Sequence, residues 1–79
     1  MKGLSIETAF GQVIKELRKE RKLSQEQLSY DSYLDRSYIS QLEHGRKQPT
    51  ILTIFQLADA LKVKPSVIIA EVERLSGLT

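Results

Sequence analysis

Ser24-Gln25-Glu26-Gln27-Leu28-Ser29-Tyr30-Asp31-Ser32-Tyr33-Leu34-Asp35-Arg36-Ser37-Tyr38-Ile39-Ser40-Gln41-Leu42-Glu43-His44-Gly45 is the stretch whose reading decides the fold. Ser24 followed three residues later by Gln27 has the pattern of a helix N-cap whose partner reaches back to it. A helix starting there is limited to about two turns, because Ser32, Tyr33 and Leu34 lack the pattern to extend it and Asp35 is again a good N-cap. The next helix is expected from Arg36 to about His44, burying Ile39 and Leu42 at i, i+3, with Gly45 best able to take a left-handed conformation after it. Two helices joined by so few residues cannot lie antiparallel and must cross at an angle. A small side chain, Ser29, is needed where they approach, and Leu28, Leu34, Ile39 and Leu42 seal their junction.

Working outward, Phe10, Val13, Ile14 and Leu17 recur at i, i+3, i+4, i+7 between Ile6 and Lys22, which predicts a preceding amphipathic helix. After the polar loop Arg46-Lys47-Gln48-Pro49, Thr50 can cap a fourth helix from Ile51 to about Leu61. Pro65 suits the first turn of a fifth helix reaching about Leu75, with Gly77 as its stop. With no strand signal, repeat or linker, the expected fold is all-α: a five-helix orthogonal bundle forming a single domain over residues 1–79.

Composition narrows the function. Seventy-nine residues, 41% hydrophobic and 28% charged, suit one modest folded core. There is no cysteine and only one histidine, His44, so no disulfide framework, structural zinc or His-based catalysis has support; neither metal nor cofactor is expected. A phosphate-cradling glycine loop and a nucleophile elbow are both missing, and the carboxylates are scattered among Lys and Arg, which argues against an enzyme. No apolar run has signal-peptide or membrane-spanning length, so a cytoplasmic protein without a membrane partner is expected, and no small-molecule ligand is evident. A net charge of +2 fits a nucleic-acid partner but does not select one.

The quoted stretch resembles the phage-repressor and Cro-type helix-turn-helix regulators, the Xre family, and the likeness runs from Phe10 to Ile68. It includes Arg18 before the motif and Pro49 and Leu57-Ala58 after it. Within that family, Leu34-Asp35-Arg36-Ser37-Tyr38-Ile39-Ser40 and the short length are similar to restriction-modification controller proteins. The resemblance implies a lambda-repressor-like domain that binds double-stranded operator DNA and regulates transcription as repressor or activator, with RNA polymerase as a candidate partner. A rival from another class is an antitoxin-type protein-interaction module, whose cue would be a longer tail than the residues after Leu75. At Tyr33 the family usually has Gly or another turn-former, and a left-handed turn at a non-Gly residue costs roughly 1–2 kcal/mol. Tyr33 is therefore expected to pack its ring on a neighbouring surface or to face a phosphate.

In such a geometry the third helix enters the major groove, and Arg36, Ser37, Ser40 and Gln41 are placed to meet base edges. Arg36 suits guanine O6 and N7, Gln41 suits adenine, and the two serines are permissive; an ordinary solvent-facing helix carries the same residue types. Gln25, Tyr38, Arg46 and Lys47 are candidates for the DNA backbone, although Tyr38 can equally lean its ring on the second helix. The resemblance assigns Arg18 and Glu43 to a structural ion pair between the first and third helices. The remaining cluster of Lys15, Lys19, Arg21 and Lys22, interleaved with Glu16 and Glu20, reads mainly as a solvated face. On the fifth helix Val67, Ile68, Ile69, Val72, Leu75 and Leu78 spread wider than one core stripe needs, and Leu52 falls off the fourth helix's stripe of Ile54, Leu57, Ala58 and Leu61. Leu52, Val67, Ile69 and Val72 are thus the candidate homodimer surface, with the C-terminal helix, about residues 65–75, contributing to it.

Overall fold

Every helix of the computed structural model, which describes residues 3–77, begins at a residue suited to start one. The order is α1 (Ile6–Glu20), α2 (Gln25–Ser32), α3 (Arg36–Glu43), α4 (Ile51–Leu61) and α5 (Pro65–Ser76), with no strand among the described residues. Ser5, Ser24 and Thr50 each accept from the backbone N–H three residues on, and Asp35 accepts from Ser37 N–H; Pro65 occupies the first turn of α5. The reciprocal half of the Ser24 cap does not form, because the Gln27 amide donates forward to Asp31 Oδ1 at 3.1 Å. Gly45 and Gly77 take the left-handed conformation after α3 and α5, at φ 72° and 80°. α1 stops two residues short of Lys22, and the ends of α3 and α5 differ from expectation by one residue each.

The apolar stripes of all five helices meet in one core. Phe10, Val13 and Ile14 come from α1, Leu28 from α2, Ile39 and Leu42 from α3, Leu57 and Leu61 from α4, and Ile68 and Val72 from α5. α1 packs along α5 and across α3, while α2 lies against α3 and α4, so α3 is held from two sides. Where α1 crosses α3, a Cβ built on Gly11 would meet the Leu42 carbonyl oxygen at 2.3 Å and that of Glu43 at 2.8 Å. Only glycine allows this approach of helix to backbone, and a periodicity reading passes over it.

Inside the motif, Ser29 is half-buried and its hydroxyl donates to the Leu34 carbonyl at 2.5 Å, closing the turn between α2 and α3. Ser32 ends α2 fully buried; its carbonyl accepts from Gln56 Nε2 of α4 at 3.0 Å, and its hydroxyl has no partner among the described residues. Tyr33 takes the left-handed conformation at φ 61°, ψ 28°, but its side chain is 89% exposed. The expected packing of its ring on a neighbouring surface is therefore corrected: the ring stands in the open and does not offset the backbone strain.

Two substitutions should move stability in opposite directions in thermal or urea unfolding. Gly11→Ala should cost about 2 kcal/mol or more, since the methyl group meets backbone rather than a side chain that can turn away. Tyr33→Gly should raise stability by about 1 kcal/mol, and an unchanged midpoint would mean that the turn is not strained.

Candidate nucleic-acid interface

α3 is eight residues long, and isolated helices of that length are marginal in water, so the surface it presents depends on how it is anchored. Ile39 and Leu42 point into the core with no exposed area. Arg36, Ser37, Ser40 and Gln41, at i, i+1, i+4 and i+5, fall within an arc of about 140° on the other side. Arg36 and Ser37 are exposed, Ser40 and Gln41 half-buried. These four side chains make one polar edge running from the N-terminus of α3.

Asp35 sits at the head of that edge. Its Oδ2 accepts from Ser37 N–H at 3.1 Å and also from the Ser37 hydroxyl. The hydroxyl bond holds the Asp35 carboxyl below its ordinary value of 3.8. A carboxyl depressed on folding favours the folded state above its ordinary range, and that contribution disappears as pH falls through the lowered value. The cap is accordingly intact at neutral pH, and part of the hydrogen-bonding capacity of Ser37 is already used by it.

The C-terminal end of α3 is fixed by an ion pair. Arg18 donates from Nε to Glu43 Oε2 at 2.7 Å and from Nη2 to Glu43 Oε1 at 3.0 Å, in a two-pronged arrangement. Its third nitrogen, Nη1, donates to the Leu23 carbonyl at 2.8 Å, just before the Ser24 cap. The Glu43 side chain is 2% exposed, and its bonds raise the Arg18 pKa above the ordinary value. Gln25, the first residue of α2, joins the same carboxylate through Nε2 at 3.0 Å from Oε1. Arg18, Gln25 and Glu43 therefore form one network linking α1, α2 and α3.

Three side chains lie otherwise than the sequence suggests. The Tyr38 ring packs on the core, and its hydroxyl is directed to the Gln48 carbonyl at 3.4 Å and Thr53 Oγ1 at 3.5 Å. The hydroxyl thus faces the α3–α4 loop and the start of α4. Arg21 is no free surface charge: its guanidinium donates to the Leu61 and Lys62 carbonyls at the end of α4, 40 and 41 residues away in sequence. Val72, read as a candidate dimer residue, is only 7% exposed and belongs to the core, because the buried side of α5 includes Ile68 and Val72 together.

Arg46 and Lys47 are exposed in the loop after α3, and Gln48 ties that loop to α1 by donating to Glu7 Oε2 at 2.8 Å. Leu52 is 67% exposed, Val67 and Ile69 lie in the open, and Leu78 falls outside the described residues. Ile51 and Phe55, which sequence reading did not single out, are exposed beside Leu52 on α4. Ile69 also lines a cleft of about 450 Å³ with Ile6, Phe10, Ile54 and Pro49. Among the described residues no group of side chains could hold a metal ion, and no helix is long and apolar enough to cross a membrane.

Residues 14–68 match the model of a family described as helix-turn-helix. The chain is 44% identical over 61 residues to the immunity repressor protein of Bacillus phage phi105, covering 77% of this chain and 42% of that protein. It is 31% identical over 70 residues to the control protein C.MunI of a Mycoplasma species, covering 87% of this chain and 95% of the relative. The crystal structure of the restriction-modification controller protein C.AhdI from Aeromonas hydrophila superposes with a TM-score of 0.76 at 41% identity, over 77% of this chain and 92% of that one. This chain thus spans less than half the length of the phage repressor it matches.

Removing one partner of a buried ion pair leaves the other charge uncompensated. Glu43→Ala should therefore lower unfolding stability by about 3 kcal/mol while shifting base preference little. A melting temperature unchanged by Glu43→Ala, with altered operator preference, would move Glu43 from scaffold to readout.

Proposed function

The chain belongs to the helix-turn-helix family, and on that premise we propose that it regulates transcription by binding double-stranded DNA in a sequence-specific way. One observation carries the reading: a polar edge of exposed Arg36 and Ser37 and half-buried Ser40 and Gln41 on a short helix that is locked to α1. Placed in a major groove, Arg36 would donate two bonds to guanine, and Gln41 would pair with adenine, each worth about 1–3 kcal/mol of discrimination. Ser37 and Ser40 would complete the contact. Arg46 and Lys47 would hold the phosphates flanking the site, and Gln25 would do so at the head of α2, where helix N–H groups favour an anion. The Tyr38 hydroxyl would reach the backbone only by leaving its Gln48 and Thr53 neighbours.

The working unit we propose is a twofold dimer. Ile51, Leu52 and Phe55 of α4, with Val67 and Ile69 of α5, leave apolar area exposed that a second copy would cover. Two α3 helices related by a dyad would meet half-sites about 34 Å apart, a spacing comparable with the 37 Å length of one copy. The operator would then be an approximate inverted repeat. The likeness to C.MunI, a protein named as a control protein, supports a regulatory reading.

Selection from random duplexes at moderate salt should enrich a roughly twofold-symmetric motif, and binding should weaken steeply as salt rises. Arg36→Ala should relax the preference for one guanine per half-site at a cost of about 1–3 kcal/mol. Recovery of no enriched motif would refute the DNA reading. Leu52→Asp combined with Phe55→Asp should shift the protein toward monomer in sedimentation; a dimer unaffected by both would place the interface elsewhere.

A further inference from the structure

We propose that Glu43 is a positioning residue for DNA binding: it fixes the Gln25 carboxamide so that the amide's second N–H is presented to a backbone phosphate. The inference rests on the proposed role of Gln25 at the DNA backbone and assigns Glu43 a task beyond holding Arg18.

The chemistry of the two partners sets the direction. A carboxylate only accepts hydrogen bonds, so the Gln25 side chain can meet Glu43 only with its nitrogen, and does so at 3.0 Å. That nitrogen carries two hydrogens, of which Glu43 takes one. A phosphate also accepts and does not donate, so the remaining N–H is the useful end of the amide for it, and the amide oxygen would be repelled. Left alone, the carboxamide of a half-buried glutamine can turn over and offer oxygen instead. The Glu43 carboxylate forbids that orientation.

Glu43 itself has little freedom. Its Oε1 accepts from both Arg18 Nη2 and Gln25 Nε2, and its Oε2 accepts from Arg18 Nε. The Cα of Glu43 is carried by the stretch of α3 backbone that lies against Gly11. The orientation of Gln25 is thereby referred to the α1–α3 crossing, the same contact that sets the height of the α3 reading edge. Beside it lie the Gln25 and Glu26 backbone N–H groups, which at the first positions of a helix have no intrahelical acceptor. A glutamine held in register with them adds a third donor at no ordering cost on binding.

The test uses the full chain and operator duplexes in which single phosphates are replaced by neutral methylphosphonates. In the wild type, one replacement per half-site should weaken binding about tenfold, and Gln25→Ala should erase that sensitivity. The paired variant Arg18→Leu/Glu43→Met removes the ion pair without leaving an unpaired charge. It should keep the base preference and lose the same phosphate sensitivity, and adding Gln25→Ala to it should cost less than about twofold. An equal effect of Gln25→Ala with and without the ion pair would overturn the proposal, as would a wild type that binds its operator with no phosphate sensitivity traceable to Gln25. Should the paired variant fail to fold, the Gln25 side-chain amide of the free wild type decides by its 15N heteronuclear NOE. A value near that of the α2 backbone supports positioning, and a value typical of a freely rotating side chain contradicts it. Absence of binding to any duplex would instead refute the DNA reading, while the NOE would still report whether Glu43 holds the amide.

Discussion

The close crossing of α1 over α3 is the constraint on which the remaining structure depends. Gly11, Ile14 and Arg18 lie at i, i+3 and i+7 on one face of α1, and each meets a different demand. Gly11 has no Cβ where the Leu42 and Glu43 carbonyl oxygens press in, Ile14 is fully buried, and Arg18 clasps the Glu43 carboxylate. A helix of eight residues gains little from its own hydrogen bonds, so this crossing, more than the propensity of Arg36-Ser37-Tyr38-Ile39-Ser40-Gln41-Leu42-Glu43, makes α3 a rigid presenter of side chains. Because the Arg18 guanidinium also holds the Leu23 carbonyl, the start of α2 is located by the same group.

Some of the domain's costs fall where interaction is expected, while Lys22 and Lys62 carry left-handed backbone elsewhere. Tyr33 keeps a left-handed backbone without any packing in return, and Ile51, Leu52 and Phe55 leave apolar surface in water. Away from those places the sequence is economical in its use of charge: Arg21 closes the end of α4 and Gln48 fastens the α3–α4 loop to α1. The first bond joins the end of α4 to the end of α1, and the second joins the loop bearing Arg46 and Lys47 to the start of α1.

Much of this was legible in the sequence because it is local. Ser24, Asp35, Thr50, Gly45 and Gly77 mark helix ends by chemistry confined to a few neighbouring residues, and the stripes of α1 and α4 follow from period alone. What was hidden depends on partners far along the chain. Nothing near Gly11 announces that α3 backbone will lie on it, although its place one heptad before Arg18 was a usable signal. Arg21 looked like one more cation on a charged helix until the α4 carbonyls came within reach. Val72 was misplaced because a helical wheel gives the width of an apolar face but not which sector of it meets the core. Tyr38 was open for the same reason, since its two destinations differ only in tertiary structure.

We propose that α3, held by α1 and α2, is the surface that meets DNA. Amide chemical-shift mapping during titration with a selected operator duplex tests it most directly. The largest changes should cluster at Gln25 and Glu26, from Arg36 to Gln41, and at Arg46 and Lys47, while the core amides of Ile14, Leu57 and Ile68 stay nearly fixed. Perturbations centred on the outer faces of α1 or α5, with the α3 amides unmoved at saturation, would contradict it.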